Sequence, residues 1–361
     1  MNKYLFILGL VGTALLSACS SDDLTTGFSP EEERALVFEA SQDSDVPILL
    51  GSVASARSGM TRTPIESYGN FNTPTGANAP CLGVFCLASG KQASAPSSAS
   101  GNWDDALATW LNNVPAKVAT GEVTFLDPTT LDQETPTSRV LYYPYGNWYY
   151  YNFYAYYPRI SDAAAISVGS NSVIVNYEID GRQDIIWGKT TAPDQAYCAQ
   201  YFRNNPTEIP QFDEFEHKLA KLEVYVKGNS NFEVTSATIS GVYKNLALCV
   251  ASKTTSGINP TGNLSIKAGS VSGDLSLSKV NAGGVDVDPF AGGAITVLAA
   301  EEKYIGYVII PPTALLGVNE KYTINLEING TLKHVVLKNS VDDSRMEFVK
   351  GKSYKITLDN N

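Results

Sequence analysis

Apolar and polar residues alternate with period two through much of the second half of the chain. Leu222, Val224 and Val226 alternate with Glu223, Tyr225 and Lys227. That spacing places one set on a buried face and the other on a solvent face of an antiparallel strand. Ile305, Tyr307 and Ile309 repeat the pattern. Residues 322–328 and 331–337 flank Asn329-Gly330, which predicts a hairpin on a type I′ turn with Ile324 opposite Val335. Residues 346–349 and 354–358, joined through Lys350-Gly351-Lys352, predict a closing hairpin.

The first half is less regular. Residues 84–87, 118–126, 139–143 and 173–177 read as strands. Trp103, Leu107, Trp110 and Leu111 stand at i, i+4, i+7 and i+8, which predicts a short amphipathic helix stopped before Pro115. A helical turn is expected between Pro193 and Pro206. Between Tyr142 and Tyr157, nine of sixteen residues are tyrosine. There Phe153, Ala155 and Tyr157 alternate with Tyr154 and Tyr156, which predicts a strand with aromatic rings on both faces. Upstream, Ala35-Leu36-Val37-Phe38 and residues 46–50 are isolated apolar segments, followed by a Ser/Gly/Ala-rich stretch that carries Arg57 and Arg62. Many short strands with Gly and Asn turns predict an all-β chain of β-sandwich domains with short helical insertions.

The amino terminus changes the picture most. Lys3 and an apolar run from Leu5 to Leu16 precede Leu16-Ser17-Ala18-Cys19. The run is too short to span a bilayer and suits the core of a signal peptide. Small residues before a cysteine form a lipobox, so cleavage is expected between Ala18 and Cys19 by the lipoprotein signal peptidase, with Cys19 acylated (palmitate among its chains). Several acyl chains on one cysteine anchor a protein firmly. Ser20-Ser21-Asp22-Asp23 resembles the surface-export signal of some Gram-negative lipoproteins and implies the outer face of the outer membrane.

Composition excludes more than it identifies. The formal net charge is −11 and no basic cluster exists, which argues against nucleic acid as a partner. Cys81, Cys86, Cys198 and Cys249 remain once Cys19 is acylated, an even number that allows two disulfides or four buried thiols. The two histidines, His217 and His334, lie far apart in predicted strands. Neither a metalloprotease motif, a phosphate-cradling loop nor a nucleophile elbow accompanies them. No enzyme activity, metal or cofactor is expected.

Three segments give the chain a family resemblance. Asn152-Phe153-Tyr154-Ala155-Tyr156-Tyr157-Pro158 is similar to the aromatic strand of the fimbrillins. The stretch from Phe215 through His217 and Leu222 to Val224 looks like the opening strand of their second domain. Gly351-Lys352-Ser353-Tyr354-Lys355-Ile356-Thr357-Leu358 looks like their late strand, and Thr61-Arg62-Thr63-Pro64 like the junction before their first retained strand. The chain therefore resembles the fimbrillin family of type V pilus lipoproteins.

The resemblance implies two transthyretin-like β-sandwich domains, over 63–210 and 211–361, behind a signal peptide (1–18) and a lipidated, removable segment (19–62). It implies a pilus (fimbrium) subunit active in cell adhesion. An arginine-directed protease would remove Ala35, Leu36, Val37 and Phe38 by cutting after Arg57 or Arg62, and donor strand exchange would follow. The implied partners are other pilin subunits, outer-membrane lipid through Cys19 before processing, and a host or bacterial surface ligand. Stalk pilins carry a further C-terminal donor strand, whereas here Leu358 stands three residues from Asn361, so a tip-type or minor subunit is expected. The tyrosines support a second reading: a surface glycan-binding lipoprotein that does not polymerise, its exposed rings stacking on sugars.

Overall fold

The computed structural model of the chain describes residues 50–52, 81–90, 111–119, 122–133, 135–143, 149–169, 172–190, 199–205, 207–212, 215–252, 261–282, 284–339 and 342–360. The first ten described strands are β1 (Leu50–Ser52), β2 (Leu82–Gly90), β3 (Leu111–Ala119), β4 (Glu122–Phe125), β5 (Tyr149–Tyr157), β6 (Ile166–Val168), β7 (Ser172–Glu178), β8 (Ile186–Lys189), β9 (Gln211–Phe212) and β10 (Glu216–His217). A short helix, α1 (Ala199–Asn204), falls where the turn before Pro206 was predicted.

Eight of these strands form one sheet in the order β10-β8-β5-β2-β3-β4-β1-β9. A single bridge from Thr190, just after β8, to Phe212 of β9 joins the last strand back toward the opposite end. The sheet therefore curls until its ends almost meet. One face packs a core of its own, and the other is buried along β2, β5 and β8 while Glu122 of β4 and Gln211 of β9 are exposed. Leu82, Val84, Cys86, Phe153, Ala155 and Phe212 line one core, capped by the stacked rings of Tyr143 and Phe202 at 5.2 Å. Phe85, Leu87 and Tyr156 face the other way. β5 thus carries aromatics on both faces, as its alternation predicts.

The later strands are β11 (Ala220–Lys227), β12 (Phe232–Tyr243), β13 (Asn245–Ser252), β14 (Leu264–Ile266), β15 (Ser272–Ser276), β16 (Lys279–Val280), β17 (Asp286–Val287), β18 (Ile295–Val297), β19 (Lys303–Ile310), β20 (Thr323–Ile328), β21 (Thr331–Val336) and β22 (Ser353–Asp359). A three-stranded sheet, β19-β11-β22, shares its apolar core with β15-β12-β20-β21, to which β18 adds through β12. Leu222, Val224 and Val226 are buried between exposed or half-buried neighbours, as predicted. Burying each such side chain contributes roughly 1.5–3 kcal/mol. Asn329 and Gly330 both take positive φ, and Ile324 faces Val335.

Pairing also links the two halves. β13, from the later half, pairs with β7, giving the sheet β14-β13-β7-β6 that shares the apolar core with Phe85, Leu87 and Tyr156.

Several expectations need correction. Leu111 begins β3 instead of ending a helix, while Trp103, Leu107 and Trp110 lie outside the described residues. β3 tolerates Pro115 because its geometry is irregular there: Asn113 has φ 53°, and the register against β2 shifts beside it. Residues 118–126 divide between β3 and β4, and residues 139–143 form no continuous strand. Residues 305–310 are buried on both faces, because Tyr307 bridges Ser278 and Ile309 N–H donates to Gly181 O at 2.7 Å. No strand covers residues 346–349. β22 instead runs parallel to β11, Leu222 facing Tyr354.

Candidate strand-exchange site

β1 is the shortest interior strand of the curled sheet. It runs antiparallel to β4, with Leu50 facing Val123 and Gly51 facing Glu122. It runs parallel to β9, with Gly51 facing Gln211 and Ser52 facing Phe212. The register brings positions 50 and 52 level with buried Val123 and Phe212, and position 51 level with exposed Glu122 and Gln211. Any extended chain entering this slot meets the same alternation of buried and exposed neighbours.

The walls of the slot differ. β4 is held on its far side by β3, with four facing pairs from Ala116–Phe125 to Ala119–Glu122. β9 is two residues long, and beyond β1 its pairing is the Thr190 bridge. Phe212 is fully buried and stacks on Phe215 at 5.5 Å. Withdrawing residues 50–52 would leave backbone N–H and C=O groups of β4 and β9 without ladder partners and uncover the apolar wall beside them.

The predicted processing and lipidation residues, Ala18, Cys19, Ala35, Leu36, Val37, Phe38, Arg57 and Arg62, all lie outside the described residues. The strand within the sheet, Leu50–Ser52, begins at the end of the apolar stretch 46–50 and precedes both arginines. Its sequence signal is weak, because Gly51 and Ser52 carry no apolar period.

The described tyrosines of the aromatic region pack mainly inward. Tyr143, Tyr151, Tyr156 and Tyr157 are buried, and Tyr142 is 37% exposed. Tyr156 donates its hydroxyl to Asn113 Oδ1 at 2.6 Å, and Asn113 Nδ2 donates to Ile160 O at 2.8 Å. Burial pushes the Tyr154 hydroxyl up to about 12. These rings fill the two cores and offer little platform for a sugar.

The remaining candidate chemistry is dispersed. His334 on β21 contacts Asn325, whereas His217 on β10 pairs through Nδ1 with buried Asp184 at 2.7 Å. Beside it, Lys218 is 2% exposed, lies 4.6 Å over the Trp187 ring and reaches Glu216 at 2.8 Å. Glu216 also pairs with Lys350 at 2.9 Å, tying the curled sheet to the later sandwich. Burial pulls the Lys218 ammonium down to about 8. Cys81 and Cys86 are free buried thiols, pushed up by desolvation. Five residues of strand hold them about 16 Å apart, more than twice the Cα separation a disulfide tolerates. The Cys249 thiol donates to Ala251 O, and Cys198 lies outside the described residues. Among the described residues, no group of three or more His, Cys, Asp or Glu is placed to hold a metal, and no helix is long and apolar enough to cross a membrane.

Stacked antiparallel and mixed sheets with a slot for one short strand define an all-β, multi-sheet subunit. A family model described as fimbrillin-like matches residues 82–361, and the chain belongs to that family. Membership supports a pilus-type adhesive subunit at the cell surface, with other pilin subunits as partners and a structural rather than catalytic role. Among solved structures, the chain is similar to a candidate cell-adhesion protein from Bacteroides uniformis (15% identity, TM-score 0.45, 87% of this chain and 94% of that one). A second, from Bacteroides ovatus, shows 13% identity and TM-score 0.47, over 87% and 91% of the two chains. The fimbrial anchor protein Mfa2 from Porphyromonas gingivalis shows 8% identity and TM-score 0.32, over 87% and 90%. Comparison with curated proteins found no match.

Proposed function

We propose that this chain is a pilus subunit exported to the outer membrane as a lipoprotein on Cys19, trimmed after Arg57 or Arg62, and assembled by strand exchange in the slot that β1 fills. One observation carries the reading: β1 is an interior strand that lies upstream of both arginines. A cut after either one severs residues 50–52 from every later strand. The vacated slot offers two rows of backbone groups beside buried Val123 and Phe212, and a strand from a neighbouring subunit satisfies both at once. Before the cut, lipid on Cys19 holds the subunit at the membrane. Afterwards the donor strand is its attachment, and the exposed remainder is free to meet a host or bacterial surface ligand.

The test is the amino-terminal sequence of the protein recovered from sheared surface fibres. The expected start is Ser58 or Thr63, and the double substitution Arg57→Ala with Arg62→Ala should leave acylated Cys19 and keep the subunit out of fibres. Fibre-borne protein that still begins at Cys19 with residues 50–52 attached would overturn the proposal.

A further inference from the structure

A second feature lies away from the slot, where the loop after β7 meets β15 and the β12–β13 turn. A cleft of about 600 Å³ opens there, within the range of roughly 300–1,000 Å³ typical of small-molecule sites. Buried Ile179, Leu275 and Leu277 contribute its apolar lining. Gly181, with φ 89°, lets the loop lie against Val308 and Leu275, where an added Cβ would come within 3.0 Å of Val308.

The polar groups lining this cleft have unspent bonding capacity. Ser278 is only 6% exposed, and its backbone is paired with Tyr307, but its hydroxyl has no hydrogen-bond partner among the described residues. Glu178, Asp274 and Lys244 also line the cleft, and none of them forms an ion pair among the described residues. Arg182 and Asp180 satisfy each other at 2.7 Å on its rim. The hydroxyl stays accessible from the cleft, so a ligand can pair with it without displacing an internal partner.

The mixture of groups selects the ligand class. A basic peptide needs acceptors alone and would be opposed by Lys244 and Arg182. An anionic ligand meets Glu178, Asp180, Asp274 and Asp288, which outnumber those two cations. A saccharide hydroxyl donates once and accepts twice, so it can use carboxylate, ammonium and hydroxyl together, while a ring C–H face rests on the apolar lining. We infer that this cleft binds a neutral or amine-bearing saccharide of a few rings and discriminates against acidic ones. The inference does not rest on strand exchange, since the cleft and β1 share no residue.

The test is titration calorimetry with ligand-observed NMR on the chain from Cys19, using cellobiose, the glucosamine disaccharide and a hyaluronan disaccharide as probes. In so open a cleft the first two should bind with dissociation constants on the order of 1 mM, and the acidic probe at least tenfold more weakly. Ser276→Trp, at an exposed lining position, should abolish binding without moving the melting temperature. Asp274→Asn should remove any preference for the amine-bearing sugar, and Ser278→Ala should weaken both. Absence of saturable binding by the first two probes, undiminished binding to Ser276→Trp, or capture of a trilysine peptide in place of the sugars would each overturn the inference.

Discussion

β1 and β11 occupy equivalent places in two different sheets. Each is an interior strand, antiparallel to one neighbour and parallel to the other. β11 faces seven residues of β19 and seven of β22, and its buried side chains Leu222, Val224 and Val226 are at most 1% exposed. β1 faces two residues on each side. Ladder bonds scale with length, so the same topological position holds far more of one sheet together than of the other, as the proposed strand exchange requires. A strand given up during assembly must fill a real gap yet cost the rest of the fold little when it leaves.

The largest expected effect lies at the long strand. Val224→Asp places an unpaired charge in the later core, at a cost of about 3–5 kcal/mol or more. Denaturant titration should find no cooperative transition, whereas cleavage after Arg57 should leave one, shifted to lower denaturant. Next comes the wall of the slot. Phe212→Ala removes a fully buried ring and should cost about 3–5 kcal/mol in the intact chain. In the cleaved chain, where the wall has lost its neighbour, the penalty should shrink.

The junction between the regions gives an effect of intermediate size. Folding lowers the Lys218 pKa from its ordinary 10.5 to about 8. Between those values the unfolded chain binds more protons, so stability should rise as pH increases from about 8 to 10.5. Below pH 8 the penalty for the buried charge is present in full. Lys218→Met should abolish that rise and raise stability at pH 7, by an amount on the order of 1 kcal/mol. Thermal melts at pH 7, 9 and 10.5 read both. The smallest effect belongs to the hairpin turn. Gly330 has φ 74° with open space around its Cβ position, so Gly330→Ala should cost only about 1 kcal/mol.

The two regions also differ in how much of them was legible in the sequence. β11 and the β20–β21 hairpin follow from local rules: alternation decides the buried face, and Asn329-Gly330 decides the register. The tyrosine strand was legible for the same reason. Partners distant in sequence were not. Nothing in residues 245–252 announces pairing with β7, and nothing in residues 353–359 announces a parallel run beside β11 rather than a return onto residues 346–349. Leu111 fitted a helical period that includes Trp103, Leu107 and Trp110, but a strand ladder with β2 governs its conformation, and Asn113 absorbs the irregularity. β1 is the extreme case: three residues without apolar period, defined almost wholly by the neighbours that flank them. The cleft was hidden because its residues come from four separate segments.

The most direct test of strand replacement is amide hydrogen exchange at residues 122–123 and 211–212, before and after arginine-specific cleavage of the chain from Cys19 and removal of the released peptide. The account predicts that exchange there accelerates on cleavage and slows again when a partner subunit's strand is supplied, while β11 is unchanged throughout. Protection at residues 122–123 and 211–212 that survives cleavage in the absence of any partner would contradict it.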